Sequence, residues 1–314
     1  MKPQIKSPIN QKAKAQSADE STASWNYAEV WDKFPVPARP CPKELGIIKQ
    51  FLTEQLKTKK QLNVLVLGST IEYRSLLKSL GITPVIADFS RENFDSLTAY
   101  AQEKFEREEF VELDWLHVNE KETFDVILGH RPINVIRPHE VKLLFSRMHQ
   151  ALKPGGVFFC RGNIRFPGDQ DCLEACREKW VRKERPYPLF TYLEVALYFR
   201  CTRENGSINY PQAREIVNQW FREGKITPED YDHIKILISM GDDAQFFTLQ
   251  QEKVLKDLQE VPFQSVEWLF TGDEFTKNMP LIKLTKEIGS VESLEKCRAS
   301  TALRTVGCSE ATHK

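Results

Sequence analysis

The residues with the clearest chemical content in this chain are a glycine and an acid twenty positions apart. NVLVLGST carries Gly68 after an apolar run, and VIADFS carries Asp88 after the next such run. An apolar strand, a tight loop, a helix and a second strand ending on an acid is the spacing of a nucleotide-binding βαβ unit, in which the acid accepts hydrogen bonds from ribose hydroxyls. Asp88 has a competing use as a loop carboxylate or helix cap for DFSREN. The loop lacks the further glycines that let backbone approach a pyrophosphate, because Thr70 and Tyr73 stand in their places. A ribosyl ligand without phosphates therefore fits better than NAD.

Other candidates surround this pair. Ser69 and Glu72 form an S-x-x-E capping box at the start of the first helix, a sufficient structural use for both; a second use sets Glu72 or Thr70 near a ligand ammonium. Arg39, between two prolines, is either a fork for a ligand carboxylate or a solvated cation. His139, beside Pro138 and Glu140 at a helix start, is read as a capping residue. The seven cysteines include no C-x-x-C pair, and Cys172 and Cys176, four apart, lack the partners of a zinc site, so reduced thiols and no metal are expected.

These residues need a scaffold, and the chain reads as alternating strands and helices. Residues 1–24 are a polar tail. Residues 25–60 hold an aromatic and proline-rich segment with Trp31, then a helix opening at Pro42 with Leu45, Ile48, Leu52 and Leu56 at helical spacing. Residues 61–164 alternate: strand 64–67, helix 71–80, strand 84–87, a helix around 94–105, FVELDW, FDVILG, a helix over 141–152, then KPGGVFFCRGN. Such alternation predicts an α/β fold with a doubly wound, mostly parallel seven-stranded sheet, whose ligands bind at the carboxyl ends of the strands. Residues 165–245 read as a helical insert after the fifth strand, rich in aromatic residues and placed to cover those ends. Residues 246–290 supply a helix at 251–259 and two consecutive strands, SVEWLF and PLIKLTK, which must be antiparallel neighbours. Residues 291–314 are a second tail.

Composition narrows the function. Lys plus Arg and Asp plus Glu are equal at 44 each, which removes the basic footprint of a nucleic-acid binder. No apolar run approaches the ~20 residues that span a bilayer, and the N-terminus has no apolar leader, so no membrane partner and a cytoplasmic location are expected.

From about Trp31 to Lys286 the order of elements resembles a class I, Rossmann-like S-adenosylmethionine-dependent methyltransferase. The loop LGST-IEY, the preceding PVPARPCP and the LDW after the third strand are similar to a subset of that family with an LG-x-T first loop. The resemblance implies S-adenosyl-L-methionine as cofactor, held by Gly68, Ser69, Thr70, Asp88, Phe89, Asp114, Trp115 and Gly129, with Arg39 for the methionine carboxylate. Asp114 would meet the adenine amino group and Trp115 cover the base; a cap and a core tryptophan would look the same in sequence. The loop after FDVILG carries the reaction in such proteins. It begins His130-Arg131-Pro132 and lacks an N-P-P-Y signature, which argues against amide or base-amino acceptors. His130 is the candidate general base, or else a histidine that only binds its loop. Trp31, Arg161, Tyr187 and Tyr192 are candidates for the acceptor pocket. The implied activity is metal-independent methyl transfer to an O or N atom of a small molecule; the alternative is a methyltransferase-like domain that has lost chemistry and serves as a binding or scaffold protein.

Overall fold

The computed structural model describes residues 28, 31, 34, 36, 38–101, 103–105, 107–169, 173–182, 189–238, 245–271 and 277–288. Both tails and Tyr187 lie outside the described residues. Helix α1 (Pro42–Thr58) leads into β1 (Val64–Leu67), α2 (Ile71–Ser79), β2 (Val85–Asp88), α3 (Arg91–Tyr100), β3 (Glu109–Glu112), a 3-10 turn at Trp115–His117 and β4 (Phe124–His130). The short α4 (Pro132–Val135), α5 (Val141–Ala151) and β5 (Leu152–Arg161) follow.

The sheet has seven strands. Four helices of an insert, α6 (Leu173–Arg182), α7 (Leu189–Arg200), α8 (Tyr210–Arg222) and α9 (Pro228–Ile238), are bracketed by two-residue strands β6 (Ile164–Arg165) and β7 (Leu249–Gln250). These two pair in parallel as a separate small sheet, which the sequence reading did not anticipate. Helix α10 (Gln251–Gln259) then leads to β8 (Phe263–Leu269) and β9 (Leu281–Lys286). Strand order is β3-β2-β1-β4-β5-β9-β8, parallel from β3 to β5, with β9 antiparallel to both β5 and β8. The expected mixed sheet and terminal hairpin are present. Helix α3 is shorter and earlier than its sequence pattern suggested, because Ser90 caps it by accepting the Asn93 N–H.

Alternation along the strands divides the core. Leu65, Leu67, Ile127, Phe158 and Cys160 face α5 and α10 in one cluster; Val64, Val66, Val126, Leu128, Val157 and Phe159 face α1 and α2 in the other. His130 and Arg161 continue the second set by the same two-residue rhythm. They therefore crown the α1 and α2 face at the carboxyl ends of β4 and β5.

The insert has a core of its own. Trp180, Leu189, Tyr192, Tyr198, Tyr210 and Trp220 pack together, and Phe34 and Val135 join them. An aromatic cover over the strand ends was expected; Tyr192, 6% exposed, is instead packed inside the insert.

Candidate functional site

The strand order reverses direction between β1 and β4, and there the carboxyl ends form the crevice in which open α/β sheets bind ligands. Gly68 follows β1 with φ of +85°, a conformation that disfavours any side chain. Its N–H donates to the Ala87 carbonyl at 2.8 Å, tying the loop to the end of β2. Asp88 is the next residue, so the glycine and the acid adjoin as expected.

Asp88 is nearly buried. Its Oδ2 accepts the Ser69 hydroxyl at 2.5 Å and its Oδ1 the Ser90 N–H at 3.2 Å. Burial pushes the carboxyl above its usual range, against hydrogen bonds from Ser69, Ser90 and Phe89 that pull it down. The cap of α3 is Ser90, not Asp88, so the capping use of the acid falls away.

The capping box is also overturned. Thr70 is the N-cap of α2 and makes no side-chain cap bond, while Ser69 is committed to Asp88. Glu72 Oε1 accepts Arg39 Nε at 2.6 Å and Trp31 Nε1 at 3.3 Å. Arg39 also donates to the Trp31 carbonyl at 3.1 Å, so it is paired while its side chain stays 31% exposed; it straps the N-terminal segment onto the first turn of α2. Tertiary partners outcompete a local box because a guanidinium offers charge as well as a donor. Glu72 Oε2 stays buried with no partner among the described residues.

Trp115 donates its indole N–H to Ala87 at 2.8 Å and packs tilted against Phe89, ring centroids 4.4 Å apart. A Cβ at Gly68 would lie 3.6 Å from its ring. At that separation no base fits between Phe89 and Trp115; the tryptophan backs the glycine loop. Asp114 caps the 3-10 turn through Leu116 N–H at 2.9 Å. The N-cap of α5 is Glu140, not His139, and it makes no side-chain cap bond. Gly129 lets Pro132 approach, since a Cβ there would stand 2.7 Å from the proline ring. Arg131, at φ of +59°, turns the chain from β4 into α4.

At the ends of β4 and β5 lies a polar group that sequence did not assemble. Glu44, from the first turn of α1, is fully buried and accepts Arg161 Nη1 on Oε2 and the Tyr73 hydroxyl on Oε1. His130 Nδ1 lies 3.7 Å from Glu44 Oε1, and His130 Nε2 is 3.0 Å from the Ala38 carbonyl. A carbonyl can only accept, so Nε2 carries the proton and Nδ1 is the nitrogen able to take one. Burial would raise the Glu44 carboxyl; the Arg161 charge, with His130 and Tyr73, outweighs it and holds the group at about 2. Burial and the same carboxylate push the Tyr73 hydroxyl well up. Cys41 caps α1, its Sγ accepting the Glu44 N–H at 3.3 Å.

Glu44 and Tyr73 were missed, yet a signal existed: Glu44, Ile48 and Leu52 share one helix face at four-residue spacing, as do Tyr73 and Leu77. Among the described residues no cluster of three or more His, Cys, Asp or Glu could hold a metal, and no helix is long and apolar enough to cross a membrane.

No family model matches the chain, and no curated protein matches it. Solved structures do. A protein provisionally named a Zn-dependent alcohol dehydrogenase from Rhodobacter sphaeroides aligns at 17% identity and TM-score 0.48, over 85% of this chain and 100% of that one. A protein provisionally named an S-adenosyl-L-methionine-dependent methyltransferase from Methanococcus maripaludis aligns at 16% and 0.44, over 85% and 93%. The S-adenosylmethionine-dependent methyltransferase SibL aligns at 11% and 0.43, over 78% of this chain and 57% of that one. Likenesses this distant decide neither reaction nor substrate, so function has to come from the chain's own geometry.

Proposed function

We propose that the chain is an S-adenosylmethionine-dependent methyltransferase acting on an O or N atom of a small-molecule acceptor, by metal-independent in-line displacement. One observation carries this reading: the Gly68 N–H bonds the Ala87 carbonyl, and the next residue along each strand end, Ser69 and Asp88, join through the serine hydroxyl and the buried carboxylate, at the point where the sheet reverses. A carboxylate there suits a ribose diol, and the single open glycine suits a ligand without pyrophosphate. The unpartnered Glu72 Oε2 on the first turn of α2 is a buried acceptor for a cationic group. These residues fit S-adenosylmethionine, which when bound supplies an activated methyl on a sulfonium.

The chain's own part is to align the acceptor, exclude water and manage a proton. His130 Nδ1, with Glu44 facing it, is the atom for that proton, and the carboxylate stabilises the imidazolium that forms. The Arg39, Glu72 and Trp31 strap holds the N-terminal segment against the site.

The test is a calorimetric titration of the full chain with S-adenosylmethionine and S-adenosylhomocysteine. Asp88→Ala is expected to weaken both at least tenfold, as the loss of charge-assisted bonds worth about 1.5–3 kcal/mol requires. No binding by the wild-type chain, or an unaffected variant, would sink the reading. A second reading, a methyltransferase-like domain that binds without turnover, is favoured by the closure of α1 over His130, whose side chain is 5% exposed. It predicts S-adenosylhomocysteine binding with no methylated product from any acceptor.

A further inference from the structure

Arg161, the last residue of β5, has no exposed surface. Its Nη1 is committed to Glu44 and, at 3.6 Å, to Cys41 Sγ. Nε and Nη2 have no acceptor among the described residues. Those two nitrogens share one edge of the guanidinium plane, with N–H bonds nearly parallel, and that edge grips a carboxylate through two hydrogen bonds at once. Glu44 cannot serve it, because Oε2 takes Nη1 while Oε1 takes Tyr73 and faces His130.

Position in the sheet says which ligand is meant. Arg161 stands two strands from Gly68 and three from Asp88. At about 4.8 Å per strand these are separations of roughly 10 and 15 Å across the sheet. A donor gripped at β1 and β2 leaves the β5 end to the other reactant. A neutral carbonyl offers one oxygen to two charged donors, whereas a carboxylate offers two oxygens and the opposite charge.

We propose that Arg161 is the anchor for a carboxylate on the acceptor, taken in a two-pronged bond by Nε and Nη2, while Glu44 steadies the guanidinium from its other side. The chain's substrate class is then a small carboxylic acid methylated elsewhere on its skeleton, near His130, which pairs with Arg161 in the β4–β5 register. The word acceptor rests on the methyl-transfer reading; carboxylate binding does not, and is measured without turnover. Because Arg161 is wholly covered, the ligand reaches it only as covering elements open, so association is slow.

The experiment is isothermal titration of the full chain with acetate, benzoate and 4-hydroxybenzoate against the matching amides, with and without saturating S-adenosylhomocysteine. The expected result is a carboxylate bound at least tenfold tighter than its amide. Arg161→Lys keeps a cation for Glu44 but cannot present a fork, and is expected to erase that preference while leaving S-adenosylhomocysteine affinity within twofold. Carboxylates and amides binding alike, no carboxylate binding at all, or Arg161→Lys retaining the preference would each overturn the proposal. A variant that weakens S-adenosylhomocysteine but not decarboxylated S-adenosylmethionine would assign the anchor to the donor and overturn the acceptor role. Should Arg161→Lys fail to fold, the wild-type comparison of acid with amide decides alone. Carboxylate binding without any S-adenosylhomocysteine binding would refute methyl transfer and leave the anchor standing.

Discussion

Glu44→Gln is the substitution that most directly tests the buried polar group. The carboxyl is held at about 2 instead of 4.5. At 1.36 kcal/mol per unit, that difference is on the order of 3 kcal/mol of stability from this one group. The folded-state value is depressed, so the contribution is complete above about pH 4.5 and drains away as pH falls toward 2. Gln keeps the shape but leaves the Arg161 charge without its counter-ion in the interior, a break that typically costs about 3–5 kcal/mol. Urea unfolding followed by tryptophan fluorescence should show the variant about 3 kcal/mol less stable at pH 7. At pH 3 the gap should shrink by about 2 kcal/mol, because the wild-type chain has by then lost most of its advantage. Replacing both partners, Glu44→Met with Arg161→Met, should cost less than the sum of the single changes, since no buried charge is orphaned. A Glu44→Gln chain within about 0.5 kcal/mol of wild type at pH 7, outside the range expected for a broken buried pair, would refute the reasoning. So would a gap identical at pH 3 and pH 7.

Three further outcomes follow from the same geometry. Donor affinity should fall on acidification at a pH above that of an ordinary aspartate, because burial raises the Asp88 carboxyl and the ribose bonds need its ionised form; the dependence should vanish in Asp88→Asn. The raised value also means that Asp88 itself favours the fold most at low pH, with that contribution lost as pH rises through the folded value. His130→Ala should lower turnover by about 100-fold or more, with S-adenosylhomocysteine affinity nearly unchanged, and unaltered turnover would exclude His130 as the base. Cys160, whose thiol burial pushes far up, should resist iodoacetamide at pH 8 in the native chain and react in urea, as mass spectrometry of the labelled peptide would show.

Much of the scaffold was legible because its signals are local. The apolar run 64–67, the glycine after it and the acid ending the next strand depend on neighbours within a few residues, and they predicted the β1 loop and its contact with Asp88. The helix Gln251–Gln259 and the two strands after it were readable for the same reason, a period of 3.6 giving way to a period of 2. Local reading failed wherever a side chain had two possible partners. Ser69 and Glu72 match a helix-start pattern, yet Ser69 bonds an acid nineteen positions on and Glu72 bonds Arg39 and Trp31.

The amino-acid order thus determined, without help, an alternating α/β chain with a glycine and an acid at one crevice and a histidine and an arginine at the ends of the fourth and fifth strands. Only the tertiary structure decided that Glu44, 117 positions from Arg161, would be buried against it and would turn His130 toward a carboxylate. It also decided that β9 would slip between β5 and β8 and that the insert would close on its own aromatic core. Periodicity is set by the chain's own repeat and is written in consecutive residues. Which charge a buried cation finds depends on packing between elements distant in sequence, where desolvation makes the pairing obligatory without saying who the partner is.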